Sequence, residues 1–346
     1  MTDFTAVILA AGEGTRMKSK TPKVLHKVCG VPMLGHVIRA AKDAGASKVI
    51  AVIGKGAEEV KQYFQDSDIE FVLQETQLGT GHALMQAQEA AKESSLIVVL
   101  CGDMPLITGE SIASMVKYHI DHNADATVMT AELDEPTGYG RIIRDGEKVI
   151  AIREEKDASE EEKAIKEINS GCYCFDTKLV FEALVEVKNN NAQKEYYLTD
   201  VVEVLNEKMK SVMAYINPDA MQVSGINDRE QLAFAQKVMQ ERILKKHMKE
   251  GVTFIDPSNV MVDYDVTIGR DTVIYPGTFL EGDTSVGEGC TIIGGRIKNS
   301  KIGDDVEIVM SQIQESFIDS GVKIGPYSNL RPGCRIAAGA KIGDFV

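Results

Sequence analysis

The sequence predicts an α/β domain, a linker helix and then a parallel β-helix, on three observations. Over residues 4–227 short apolar, β-rich runs alternate with helical patterns. Over 229–250 apolar residues recur at helical spacing with charges between them. From there to the end, aliphatic residues return every five or six positions. The expected organisation is a first domain over 1–228, a linker helix over 229–250 and a β-helix over 251–346.

The elements follow in order. Runs at 5–10, 48–53, 69–73 and 96–101 read as buried strands, and helical patterns lie between them at 33–44, 57–64 and 80–92. That alternation predicts a mostly parallel sheet covered by helices. Beyond Ala126 the pattern turns mixed, with strands expected at 126–131, 140–143 and 149–152 as parts of an insertion. The acidic run Glu160-Glu161-Glu162 reads as a solvated face. In the linker, Leu232, Ala235, Val238, Met239 and Ile243 form one helical stripe, and Gly251 after Lys245, Lys246 and Lys249 stops the helix.

The repeat is the most regular feature of the chain. Val262, Ile268, Ile274, Leu280, Val286 and Ile292 stand six apart; Ile297, Ile302, Ile308, Ile313 and Ile318 follow mostly at five; Ile324, Leu330, Ile336 and Ile342 return to six. A hexapeptide period places one aliphatic residue inward per step, and three steps close a triangular coil. The sequence stops at Asp344-Phe345-Val346, inside a repeat and without the polar cap a solenoid needs, so a shortened β-helix is expected.

Composition narrows the function. Hydrophobic residues are 44% and charged residues 26%, no apolar run reaches the ~18–20 residues of a membrane span, and Met1-Thr2-Asp3-Phe4 has no signal-peptide character. A cytoplasmic protein is expected. The formal charge of −14 argues against nucleic acid or anionic lipid as partner. A polyanionic small substrate then requires the few useful basic residues to gather in one cleft. The six cysteines show no CxxC pair and read as free buried thiols; Cys172 and Cys174, two apart on a strand, share a face. His119 and His122, three apart on a helix, have no third ligand and are expected to be exposed.

After the first strand come Leu9-Ala10-Ala11-Gly12-Glu13-Gly14-Thr15-Arg16-Met17 and then Pro22-Lys23. Small residues let backbone N–H groups approach phosphates, and Arg16 and Lys23 can neutralise them. Met17 stands where a dinucleotide fingerprint needs its third glycine, and no Gly-Lys-Ser/Thr ending marks a P-loop. By itself the GxG reads equally well as a tight turn. Asp103, just past the apolar run 96–101, reads either as a turn residue or as a carboxylate at the ligand end of a parallel strand, where a hard cation could sit. Asn227, three residues before Glu230, reads as a helix N-cap.

The Leu9–Met17 segment with Pro22-Lys23 resembles the signature of sugar-nucleotide pyrophosphorylases. Gln74-Glu75-Thr76-Gln77-Leu78-Gly79-Thr80-Gly81-His82-Ala83, Cys101-Gly102-Asp103-Met104-Pro105-Leu106, Tyr139-Gly140-Arg141-Ile142 and the run from Asn189 to Asp200 are similar to one branch. That branch is the bacterial bifunctional N-acetylglucosamine-1-phosphate uridyltransferase/glucosamine-1-phosphate acetyltransferase family, and the likeness runs along the whole chain.

The resemblance implies a Rossmann-like nucleotidyltransferase domain with a mixed sheet, and a left-handed β-helix behind it. It implies transfer of a uridylyl group from UTP to N-acetylglucosamine-1-phosphate for peptidoglycan and lipopolysaccharide precursors, with Mg²⁺ held by Asp103 and Asn227. Arg16, Lys23 and Asp103 become the catalytic residues. Leu9, Ala10, Ala11, Gly12, Gly14, Lys23 and Gly102 become nucleotide contacts. Gln74, Gln77, Gly79 and Thr80 read uracil, whose edge an amide can match. Gly140, Glu154, Asn169, Tyr197 and Thr199 surround the N-acetylglucosamine, with Glu155 an alternative to Glu154, and Asn227 also touches the nucleotide sugar. In the family the β-helix is a homotrimer that uses acetyl-CoA, and Arg331 matches a sugar-phosphate position there. The family's histidine base falls beyond Val346 and no histidine follows His247, so loss of acetyl transfer is expected. A pyrophosphorylase of other base or sugar preference is a rival; a non-catalytic relative would tend to lose Arg16, Lys23, Asp103 or Asn227, all of which are present.

Overall fold

Along β1 (Thr5–Ala10) successive side chains leave on opposite sides: Ala6, Ile8 and Ala10 enter one apolar cluster and Val7 enters another. Burial on both faces is why this strand reads as an unbroken apolar run. The computed structural model, which describes residues 3–344, divides the chain into two compact units, Met1–His26 with Pro32–Leu232, and Lys27–Val31 with Ala233–Val346.

The first unit is built on a nine-stranded sheet. Its other strands are β2 (Lys48–Ile53), β3 (Glu70–Leu73), β4 (Leu96–Cys101), β5 (Ala126–Glu132), β6 (Arg141–Asp145), β7 (Lys148–Arg153), β8 (Glu167–Asp176) and β9 (Val212–Ile216). They lie in the order β3-β2-β1-β4-β8-β5-β9-β7-β6. The first four are parallel; β8 then runs antiparallel between β4 and β5, and β6 and β7 form an antiparallel pair at the edge. The mixed character begins where the sequence pattern changed. Cys172 and Cys174 enter the same cluster, and all six cysteines are free.

Helices α1 (Met33–Asp43), α2 (Ala57–Tyr63), α3 (Thr80–Gln86), α4 (Gln88–Ala91), α5 (Gly109–Asp121), α6 (Glu160–Lys163), α7 (Thr177–Leu184) and α8 (Val201–Glu207) complete this unit. The single helix expected over 80–92 is in fact two. Ala87 N donates to Leu84 O, three residues back, so the last turn of α3 tightens before α4 begins. The kink keeps Ala83, Leu84, Ala87 and Ala91 all against the sheet. His119 corrects a second expectation. It continues the stripe Ile112, Met115 and Val116 of α5, so it is buried, with Nδ1 2.9 Å from Thr127 Oγ1; burial pushes its pKa down. His122 is exposed, as expected. The acidic run is the short helix α6, closed by a Ser159–Glu162 capping box.

In the second unit, α9 (Arg229–Lys249) buries Ala235, Val238, Met239 and Ile243, while Leu232 is half-buried. Behind it the chain coils into three parallel ladders. Ile268, Val286, Ile302, Ile318 and Ile336 stack in one; Ile274, Ile292, Ile308, Ile324 and Ile342 in the next; Val262, Leu280, Ile297, Ile313 and Leu330 in the third. The first ladder shows what the five-residue steps do: its rungs lie 18, 16, 16 and 18 residues apart, so two coils are shortened at their corners while the inward stack stays in phase. Rows of buried hydroxyls join successive coils, as where Ser300 Oγ accepts from Ser316 N at 3.1 Å and Thr272 Oγ1 from Cys290 N at 3.0 Å. Among the described residues no helix is long and apolar enough to cross a membrane.

Ile308 is fully buried with a rung on either side. Ile308→Ala removes packing from both, and a loss of about 2–5 kcal/mol is expected in the urea unfolding transition of the repeat unit.

Candidate active site

β1 and β4 are adjacent and parallel, and both deliver their carboxyl ends to one side of the sheet, where ligands of open α/β sheets collect. Gly102 N donates to Leu9 O at 2.9 Å and ties the two ends together. Beside them opens a cleft of about 440 Å³. Leu9, Ala10, Ala11, Gly12, Gly14, Lys23, Gln74, Gln77, Gly79, Thr80 and Asp103 all line it, so the structure gathers most of the residues singled out in the sequence.

Two glycines in this lining are needed for shape. Gly14 has φ +61°, and a Cβ there would fall 2.5 Å from Lys23 Cβ, so the lysine stem lies directly on the turn. Gly79 has φ +107°, and a Cβ there would meet Tyr196 O at 2.6 Å. That close approach is how the segment around Tyr196 docks: Gly81 N donates to Tyr196 O and Tyr196 N to Leu78 O, each at 2.8 Å, and Leu198 N donates to Thr80 Oγ1 at 3.1 Å. Gln74 is buried; its Nε2 donates to Gly79 O at 3.2 Å and lies 2.9 Å from His82 Nδ1. Gln77 Nε2 donates to Gln74 O at 3.2 Å. Both amides are thus held before anything binds.

At the other end of the cleft Lys23 Nζ donates to Asp103 Oδ2 and, at 2.8 Å, to Asn227 Oδ1. The Asp103 backbone carbonyl accepts from Ile226 N at 2.9 Å, which fixes the turn carrying Asn227 beside it. Asn227 is not the cap of α9. Asp228, one residue on, takes that work: its Oδ1 accepts from Gln231 N at 2.9 Å, while Gln231 Oε1 accepts from Asn227 N at 2.6 Å. The shift leaves the Asn227 amide oxygen to Lys23 Nζ rather than to the helix end. Two oxygens on one cationic atom fit a hard divalent ion, which takes few protein ligands and completes its shell with phosphate and water. Among the described residues no group of three or more His, Cys, Asp and Glu side chains is arranged to hold a metal.

A second cluster adjoins. Asn169 N donates to Gly140 O at 2.8 Å, and a Cβ on Gly140 would lie 3.5 Å from Asn169 Cβ and 3.6 Å from Glu154 Cδ. Glu154 with Tyr197 lines a hollow of about 240 Å³. Burial pushes the Glu154 carboxyl up, and the nearby Thr199 hydroxyl pulls it the other way. Neither Tyr197 Oη nor Thr199 Oγ1, both buried, has a partner of full hydrogen-bond geometry. Glu155 faces elsewhere: it accepts from Gly138 N at 3.1 Å and pairs with the buried Arg141 at 2.9 Å. Of the two neighbouring carboxylates, Glu154 is the one left for a ligand.

Arg16 is exposed on the 3₁₀ turn Thr15–Met17 and does not line the cleft, and Arg331 is exposed in the second unit. Conversely Glu13, Thr15, Val24, Ala83, Cys101 and Glu195 line the cleft without having been singled out. Cys101 is the last residue of β4, directly before Gly102-Asp103, and its place could have been read from that. Glu195 lay inside a segment that carried the resemblance but had no spacing of its own to mark it.

A glycine turn lining a cleft, a basic side chain and a paired carboxylate and amide at the carboxyl end of a mixed α/β sheet are the arrangement of a nucleotidyltransferase. Residues 6–167 match the MobA-like NTP transferase domain. Over 344 residues the chain is 51% identical to the bifunctional protein GlmU of Geobacillus sp. (strain WCH70), and 52% identical to that of Acetivibrio thermocellus; 99% of this chain is covered in both, with 75% and 74% of those proteins. Bifunctional protein GlmU of Streptococcus agalactiae serotype V is 47% identical over the same length. The chain belongs to the GlmU family. A crystal structure of a Bacillus anthracis protein described as a glucose-1-phosphate thymidylyltransferase shares the fold, at TM-score 0.56 and 22% identity over 68% of this chain and 94% of that one.

Asp200 lines the hollow beside Glu154, where burial first and then the Glu203 carboxylate push it up to about 6 from 3.8. Between those values the folded chain keeps a proton that the unfolded chain has lost, so this group makes stability fall as pH rises from about 4 to 6. Asp200→Asn removes the charge. Thermal melts are expected to show the variant more stable than the parent at pH 7.5 and level with it near pH 4.

Proposed function

We propose that the chain is a uridylyltransferase that joins UTP to N-acetylglucosamine-1-phosphate, forming UDP-N-acetylglucosamine and pyrophosphate for peptidoglycan precursor synthesis. The observation that carries the reading is the meeting of Lys23, Asp103 and Asn227 at the phosphate end of a cleft whose other end is lined by fixed amides. Both substrates are small anions of the cytoplasm. An oxygen of the sugar phosphate attacks the α-phosphorus in line, and pyrophosphate leaves with the electron pair of the broken P–O bond. The nucleophile is already an anion, so no general base is required. Catalysis is then positioning and neutralisation of charge.

Each part of the cleft has a task in this reading. The Asp103 carboxylate and the Asn227 amide oxygen would hold Mg²⁺, which supplies neutralisation of the phosphate charge. The Gly12–Gly14 turn lets backbone N–H groups approach the triphosphate, Lys23 swings onto its oxygens, and Arg16 meets the departing pyrophosphate from the rim. Gln74, Gln77, Gly79 and Thr80 receive the uracil, since held amides reward a matching edge and leave a mismatched one unsatisfied. Gly140, Glu154, Asn169, Tyr197 and Thr199 receive the acetamido sugar, whose hydroxyls would give the Tyr197 and Thr199 oxygens better-aligned partners. The β-helix is the half that in the family works as a homotrimer with acetyl-CoA, with Arg331 at its sugar-phosphate position; sedimentation of this chain at three times its monomer mass tests the assembly.

Pyrophosphate release from UTP plus N-acetylglucosamine-1-phosphate is expected with Mg²⁺ and absent with EDTA, and UTP should be preferred to dTTP and GTP. Asp103→Ala should lower kcat about 10²–10³-fold while the fold is kept; a folded variant that turns over like the parent ends the assignment. Glu154→Gln should raise KM for the sugar phosphate and leave KM for UTP unchanged, whereas Glu155→Gln should act through thermal stability. A preference for glucose-1-phosphate over the N-acetylated sugar would defeat the substrate reading.

A further inference from the structure

Lys23 Nζ contacts both oxygens that the reading above assigns to the metal, Asp103 Oδ2 directly and Asn227 Oδ1 at 2.8 Å. One ammonium on both ligands stands where the charge of the ion would stand. An ammonium has donors and no acceptor, so it cannot join the coordination shell. Nor can it remain against Asp103 with a dication beside it, because like charges that close disfavour each other. The Lys23 and Asp103 side chains are only 11% and 23% exposed, which limits relief by water and salt. The two occupancies exclude one another.

The stem of Lys23 shows how the exchange is arranged. A Cβ on Gly14 would fall 2.5 Å from Lys23 Cβ, 3.2 Å from Cγ and 3.3 Å from Cδ, so the first three carbons of the chain lie along the phosphate turn. With the stem held there, the ammonium has two stations: the Asp103–Asn227 pair, and the space over the Gly12–Gly14 turn where phosphate oxygens would lie. Phosphates offer it more negative charge than one carboxylate and one amide do.

We infer that Lys23, through its contacts to Asp103 and Asn227, is a built-in cation that competes for the metal position and yields it only to a nucleotide. A free divalent ion is rejected. A triphosphate draws the ammonium onto its own oxygens, and the ion it carries takes the vacated ligands, so metal and nucleotide enter as one complex. The device also explains how two ligands far apart in sequence are kept together before substrate arrives. It rests on Asp103 and Asn227 being the ligands, and the test separates the two claims.

Mn²⁺ is titrated into the nucleotide-free protein and the free aquo ion followed by electron paramagnetic resonance, with folding of each variant checked by circular dichroism. Lys23→Met should bind one Mn²⁺ at least about tenfold more tightly than the parent, and Lys23→Met/Asp103→Ala should lose that gain. Equal affinity in parent and Lys23→Met overturns the inference and leaves the ligand assignment standing. A gain that survives in the double variant puts the ion elsewhere and overturns the ligand assignment itself. A second measurement needs no variant: Mn²⁺ should enhance water-proton relaxation with the parent protein when UTP is present and not before. Equal enhancement without UTP also overturns the inference.

Discussion

One ammonium group bridges residues 80 and 204 positions away in sequence, and one end of the cleft is organised around it. Lys23 opens the 3₁₀ turn Lys23–Leu25, Asp103 follows the end of β4, and Asn227 lies on the turn before α9. None of these three segments is a neighbour of another along the chain. Backbone bonds bring them to the right depth, through Gly102 to Leu9 and Ile226 to Asp103, and the charge-assisted contacts then set the side chains. In a chain of net charge −14, the cleft lining itself holds, among the described residues, one basic side chain, Lys23, beside the acids Glu13, Asp103 and Glu195, so neutralising phosphate charge there falls to Lys23 and a bound cation.

The hollow beside Glu154 shows the complementary use of charge. Two consecutive glutamates have opposite surroundings. Glu155 is clasped by Arg141 and the Gly138 amide, which holds its carboxyl below the ordinary range, with the Gly138 bond the larger cause. Glu154 is turned inward and pushed up by burial. β7 ends at Arg153 and the chain turns over 154–157, closed by Asp157 N donating to Glu154 O at 2.9 Å, and the buried Arg141, whose guanidinium also donates to Tyr139 O, holds Glu155 on its own side. The clasp keeps the 138–141 segment, and so Gly140, in place against Asn169.

The β-helix was the part most legible in advance, because its constraint is local and repeated. An inward aliphatic residue is needed at each flat face, so the period appears directly in the sequence, and a five-residue step shortens a corner without changing the face. β1, β2 and β4 were legible for a related reason: buried on both sides, they are short apolar runs of the right length, whereas β3, expected to be buried as well, is the edge strand and has no fully buried residue. What escaped was set by packing. The break of the 80–92 helix at Ala87, the burial of His119 and the passing of the cap from Asn227 to Asp228 each depend on what lies across the gap, and neither propensity nor spacing records that.

By itself the sequence determined the α/β domain with its repeat unit, a glycine turn followed by Lys23, and the kinds of side chain at the site. Those follow from periodicity and from residue chemistry, which are properties of short stretches. Only the tertiary structure decided that Lys23, Asp103 and Asn227 converge on one point, that Glu154 rather than Glu155 faces the hollow, and that Arg16 stays outside the cleft lining. Those are distances between segments far apart in the chain, fixed by strand order and by the hydrogen bonds that join the ends of β1 and β4, and no local pattern encodes them.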